Sequence, residues 1–138
     1  MRKFVFNKLV RNDVLDSMLA EGANPVHREL SHSEYIAGLK DKILEEAAEL
    51  KLDDPDQLAK ELADVQEVID CLVAAIGKTS ADILAAQAQK TARYGTFDKK
   101  IYVDTVDVRD DSVWLPHYLE NPDRYPEIHN SNRNPTQT

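Results

Sequence analysis

Up to about Tyr94, apolar residues recur at steps of three and four, the period of a helix with one buried side. The first such stretch runs from about Val10 to Ala20 and ends near Gly22. Pro25–Leu30 reads as a short extended piece. Ser31 then offers an N-cap, and Glu34 three residues on makes a capping box. The second helix places Ile36, Leu39, Ile43, Ala47 and Leu50 on one stripe. Asp53-Asp54-Pro55 breaks it: Asp54 caps the next helix, Pro55 takes its first position and Gln57 closes the box. That third helix carries Leu58, Leu62, Val65, Ile69, Leu72 and Ile76 and ends at Gly77. Thr79 or Ser80 caps a fourth, with Ile83, Leu84 and Ala88 on its apolar face, which stops at Gly95.

After Phe97 the period changes. Ile101 and Val103 alternate with polar neighbours, and Val106 and Val108 continue out of phase. This predicts a short strand or two with a bulge, pairing with residues 26–30. From about Asp110 the chain holds four of its six prolines and ends in HNSNRNPTQT, and the last ten residues read as disordered. Trp114, Tyr118 and Tyr125 mark the part before that end as packed. The expected fold is mainly α, four to five helices with a small peripheral β element. Residues 1–109 form the domain and 110–138 a C-terminal extension.

Composition narrows the partners. At 138 residues, 42% hydrophobic and 30% charged, the chain is ordinary for one soluble globular domain. Its formal net charge of −8 argues against a nucleic-acid backbone or an anionic membrane, both of which demand basic patches. A nucleotide stays open, because a bound cation reverses the local charge. Cys71 is the only cysteine, so there is no intramolecular disulfide and no thiolate metal site; within an apolar helical run it reads as a buried structural thiol. The opening MRKFVF lacks the apolar core of a secretory leader, and the longest apolar stretch, Cys71–Ile76, is too short to span a bilayer. The expected location is cytoplasmic.

The candidate chemistry lies in four carboxylates: Glu46 and Glu49 on the second helix, Glu61 and Asp64 on the third. Each pair is spaced three apart, so each projects from one side of its helix. Both pairs border the apolar stripes, and a tight capped turn joins the helices, so the pairs can approach one level of the hairpin. Carboxylates about 4 Å apart repel by roughly 4 kcal/mol at an effective dielectric near 20. A hard cation removes that repulsion, and magnesium prefers carboxylate oxygen and handles phosphates. The competing reading is a solvated acidic flank, of which Glu67 and Asp70 are ordinary examples. No histidine stands at helical spacing from these four acids, which argues against the Glu-x-x-His arrangement of di-iron bundles.

The run EEAAEL followed by KELAD resembles the EExxE and ExxD motifs of the all-α, MazG-like nucleoside triphosphate pyrophosphohydrolases. KLVRN at residues 8–12 is similar to the KLVRD opening of that superfamily's house-cleaning branch, which is related to phosphoribosyl-ATP pyrophosphohydrolase. SHSEYIAGLKDKILEEAAEL, KELADVQEVIDCL and KTARYGTFDKKIYV follow in the branch's order, so the resemblance covers roughly residues 7–108. It implies a helical bundle completed by dimerisation, as a homodimer or homotetramer. It also implies hydrolysis of a nucleoside triphosphate, including modified or deoxy forms, to the monophosphate and pyrophosphate.

By that resemblance Glu46, Glu49, Glu61 and Asp64 hold magnesium, with manganese as a possible substitute. Glu45 orients or deprotonates the attacking water. Lys8, Arg11, Lys90 and Arg93 bind the substrate's phosphates, with Lys99 and Lys100 as weaker candidates. The chain departs from the pattern at Asn12, where the branch has an acid, and at Arg93-Tyr94-Gly95-Thr96-Phe97, which is one residue longer than the usual Arg-Gly-Gly-Phe. Tyr35, Tyr94 or Trp114 could stack on a base. Two alternatives remain: hydrolysis of phosphoribosyl-ATP, which uses the same site logic, and a non-catalytic helical binding module.

Overall fold

The computed structural model describes residues 1–129, and among these it contains five helices and no strand. They are α1 (Asn12–Ala20), α2 (His32–Ala48), α3 (Pro55–Ala75), α4 (Ser80–Tyr94) and α5 (Leu115–Leu119). The chain divides into two compact units, Met1–Gly95 with α1 to α4 and a second from Thr96 onward with α5. The expected disorder of the last ten residues lies, His129 apart, outside the described residues.

Helix limits in the first unit follow from local chemistry. The Ser31 hydroxyl accepts from the Glu34 backbone N–H at 3.3 Å and donates to the Glu34 carboxylate at 3.0 Å. Asp54 caps α3 by accepting from the Gln57 N–H at 2.9 Å, with Pro55 in the first turn where a missing N–H costs nothing. Thr79 and Asp82 form a reciprocal capping box at the start of α4. At the end of α3, Gly77 adopts φ +72°, Lys78 N–H bonds to the Val73 carbonyl and Gly77 N–H to the Ala74 carbonyl. This is a Schellman ending, and the positive φ is why glycine stands there.

The packing centres on α2 against α3, with a smaller contact between α3 and α4. Leu39 on α2 and Val68 and Val73 on α3 are the buried hydrophobic residues. Gly38 lets two other segments lie close on α2: a Cβ there would meet Leu30 Cδ1 at 3.4 Å and Leu9 Cδ2 at 4.0 Å. The face α3 turns to α2 keeps Leu58, Val65, Ile69 and Leu72 of the expected stripe, all half-buried, but not its other two positions. Glu61, Asp64, Val65, Val68, Cys71 and Leu72 are buried or half-buried, whereas Leu62 and Ile76 are each 50% exposed. The packed face is thus rotated toward the acids, and Leu62 and Ile76 belong to a second, uncovered apolar face. No residue of α4 is even half-buried.

In the second unit, residues 99–109 form no strand, and neither do residues 24–30, so the expected β element is not seen among the described residues. Lys100 at φ +56° turns the chain just before Ile101, and the phase break between Val103 and Val106 leaves no single apolar face for a ladder to bury. The helix α5 is too short for periodicity to reveal, with Pro116 in its first turn. Around it His117 packs against Trp114, Tyr118 and Tyr125 at ring separations of 6.5, 5.6 and 5.3 Å, and the Asn121 amide donates to the His117 carbonyl at 2.8 Å. Among the described residues no helix is long and apolar enough to cross a membrane.

Candidate metal centre

Three carboxylates converge between α2 and α3. One oxygen each of Glu46, Glu61 and Asp64 lies within 4.8 Å of the others, and all three side chains are half-buried. The cause is the α3 register: Asp54 and Pro55 fix where the helix starts, and two turns later Glu61 and Asp64 fall on the face turned to α2. Three carboxylate oxygens on one side suit a hard divalent cation. An octahedral magnesium sets neighbouring ligand oxygens about 3 Å apart, so the three groups would draw together slightly around it.

Glu49 stands outside this group. Helix α2 ends at Ala48, and Glu49 is its exposed C-cap. Glu45 also stands apart, held by two lysines: Lys42 Nζ lies 3.0 Å and Lys8 Nζ 3.3 Å from its Oε1. Lys42 reaches Glu46 Oε1 as well, at 3.2 Å. Arg11 donates to Asp64 Oδ1 at 2.7 Å. Lys8 and Arg11 come from the extended segment ahead of α1, so the KLVRN run supplies two cations to acids far away in sequence.

These contacts set the ionisation. The hydrogen bond from Lys42 is the largest cause that holds the Glu45 carboxyl below the usual carboxylate range; burial opposes it, and the nearby Lys8 ammonium adds to the lowering. Burial alone would lower Lys42, but its bonds to Glu45 and Glu46 outweigh that and raise it. The hydrogen bond to Asp64 raises Arg11. Glu45 is therefore a carboxylate at neutral pH and a weak base, better suited to orienting a water than to removing its proton.

A cleft of about 790 Å³ opens beside the acids, between residues 9–17, α2 and α3. Lys42, Glu46, Asp64 and Glu67 line its charged part, and Leu9, Val14, Tyr35, Leu39 and Cys71 its apolar part. Burial raises the Tyr35 hydroxyl above its usual range, with the neighbouring Cys71 thiol adding to the effect. Cys71 is half-buried at this cleft rather than enclosed. No protein-family model, curated protein or solved structure matches the chain. The geometry of the centre therefore stands by itself.

Other expected substrate contacts are not brought to the acids. Lys90 and Arg93 are exposed on α4, line no part of the cleft and make no ion pair among the described residues. Arg93 instead lies over the Tyr94 ring at 5.0 Å. Tyr35 is the one of the three aromatic candidates that lines this cleft; Trp114 lines a pocket of about 290 Å³ in the second unit. Sequence reading missed Lys42. Its signal was present, a lysine three and four residues ahead of two acids, but that spacing also describes any surface helix.

Proposed function

We propose that this protein is a magnesium-dependent hydrolase that cleaves a nucleoside triphosphate to the monophosphate and pyrophosphate. The observation that carries this reading is the meeting of Glu46, Glu61 and Asp64, two of which, Glu46 and Asp64, line a part-apolar cleft. Such a cleft, apolar with a few convergent polar groups, is the usual form of a small-molecule site. Bound at the three acids, magnesium or manganese would supply positive charge to the phosphate oxygens. Glu45, fixed by Lys42 and Lys8, would orient the attacking water. Lys8 and Arg11 are exposed enough to exchange their carboxylate partners for phosphate oxygens. Tyr35 and the apolar residues around it offer a surface to the base. Glu49, Lys90 and Arg93 keep a role only if the helix end or a second copy brings them in.

Assembly as a homodimer or homotetramer belongs to the same proposal, supported by the uncovered apolar face of α3 and α4. A non-catalytic module is the second reading, and the pairing of Asp64, Glu45 and Glu46 with cations favours it, since paired acids need no metal.

One assay separates the two. Pyrophosphate release is measured from standard and modified nucleoside triphosphates and from phosphoribosyl-ATP, with magnesium and with chelator, beside Glu61→Gln and Asp64→Asn. The enzyme reading expects magnesium-dependent release from one or a few substrates, falling at least about a hundredfold in each variant. Release from phosphoribosyl-ATP alone would select that substrate. No release, together with a melting temperature indifferent to magnesium, would leave the binding module, because a ligand of the folded state alone raises its stability.

A further inference from the structure

We propose that Lys42 is a positioning residue of this centre: its ammonium keeps Glu45 out of the metal's reach and reserves it for the attacking water. The inference rests on the hydrolase reading above and adds a division of labour among the acids. Consecutive residues on a helix diverge by about 100°, so Glu45 and Glu46 have no reason of their own to hold a fixed relation. A side chain one turn earlier is three residues from one and four from the other, the two spacings that bring helical side chains together. Lys42 occupies that place and touches both, at 3.0 and 3.2 Å.

The three cations of the centre differ in kind. Lys8 and Arg11 come from the extended N-terminal segment and have side chains 50% and 59% exposed, so they can swing to a ligand. Lys42 is rooted in the same helix as the acids it holds, and its side chain is only 19% exposed. It lines the cleft but is committed to carboxylates. Lys8 meets the same oxygen of Glu45. Two ammonium groups therefore share Glu45, one shares Glu46, and among the described residues none pairs with Glu61. The gradient runs from Glu45, fully countered and outside the triad, to Glu61, open within it. A divalent ion would enter at the open end and meet in Lys42 a fixed charge barring the recruitment of Glu45.

The test combines manganese titration of the full chain, by calorimetry, with kcat and KM for wild type, Lys42→Met and Lys42→Arg. Lys42→Met is expected to bind manganese about tenfold tighter, because a competing cation is gone and a further carboxylate is released to the ion. Its kcat is expected to fall about a hundredfold with KM little changed, the loss that follows when a water-handling group is misplaced. Lys42→Arg is expected to restore most of both. A lysine of merely structural importance would give the opposite sign, weaker manganese binding with arginine unable to rescue it, and that result overturns the proposal.

Glu45→Gln supplies a second reading should Lys42→Met fold poorly. It should weaken manganese binding by less than about tenfold, the effect of one neighbouring charge, while kcat drops; a loss as large as that of Glu46→Gln, measured beside it, would make Glu45 a ligand and sink the idea. Wild type that binds no manganese and releases no pyrophosphate defeats the hydrolase reading and this inference with it. Wild type that does both, beside a Lys42→Met indistinguishable from it, defeats this inference alone.

Discussion

Glu34 shows how much one side chain organises at the start of α2. It pairs with Arg28 at 2.7 Å and accepts from the Ser31 hydroxyl at 3.0 Å. Arg28 first, then Ser31, holds its carboxyl below the ordinary value of 4.5. A depressed carboxylate contributes stability above its unfolded pKa and loses it as pH falls through the folded one. Glu34→Gln should therefore melt below wild type at neutral pH, and the gap should close as the pH drops below about 4.3. Melting curves across that range check it, and a gap independent of pH would refute it. Leu39 carries a different weight. It is 3% exposed in a core of few buried residues, so Leu39→Ala should cost about 2–5 kcal/mol in urea unfolding.

Among the elements, α3 decides the site. Asp54 and Pro55 set its first turn, and that start places Glu61 and Asp64 opposite Glu46. Asp54→Ala should cost about 1 kcal/mol of stability; if magnesium binds at the three acids as proposed, fraying the first turn should also weaken its stabilising effect more than Thr79→Ala at the α4 cap does. Thermal melts with and without magnesium compare the two. The helix was legible in the sequence down to its caps, because capping is local chemistry within four residues. Its buried face was legible only in part: Leu58, Val65, Ile69 and Leu72 are half-buried as the stripe expects. The stripe Leu58, Leu62, Val65, Ile69, Leu72 and Ile76 satisfies the helical period, yet Leu62 and Ile76 stand half exposed while Val68 is buried. A helix with apolar residues on two sides has two candidate faces, and only the neighbour it meets selects one.

At the scale of the molecule, the fourth helix poses the open question. All 15 residues of α4 are exposed, with Leu84 at 63%. A helix of about 12–15 residues is marginal in water without tertiary contacts. Leu62 and Ile76 of α3 are similarly uncovered. Pairing of two copies through these faces would supply the missing burial. Sedimentation velocity should then show a dimer or larger species, and Leu84→Glu should shift it toward monomer and lower the melting temperature. A wild-type monomer that keeps its helicity would count against the assembly.

The chain's own order of residues was enough for the helical class, the four long helices, their caps and stops, and the pairs of acids. Each of these depends on neighbours within about one turn, where backbone hydrogen bonds and side-chain caps compete directly. What needed the tertiary structure was every relation across larger separations. The helix end at Ala48 set Glu49 apart from Glu46, Glu61 and Asp64, and the packing rotation of α3 drew those three together. The fold of the N-terminal segment brought Lys8 and Arg11 to Glu45 and Asp64. Lys42 stood in plain view of Glu45 and Glu46, but its meaning came from burial and from the arrival of Lys8, neither of which a spacing rule contains. The strand alternation at Ile101 and Val103 failed for the same reason, since a strand exists only where another backbone completes its hydrogen bonds.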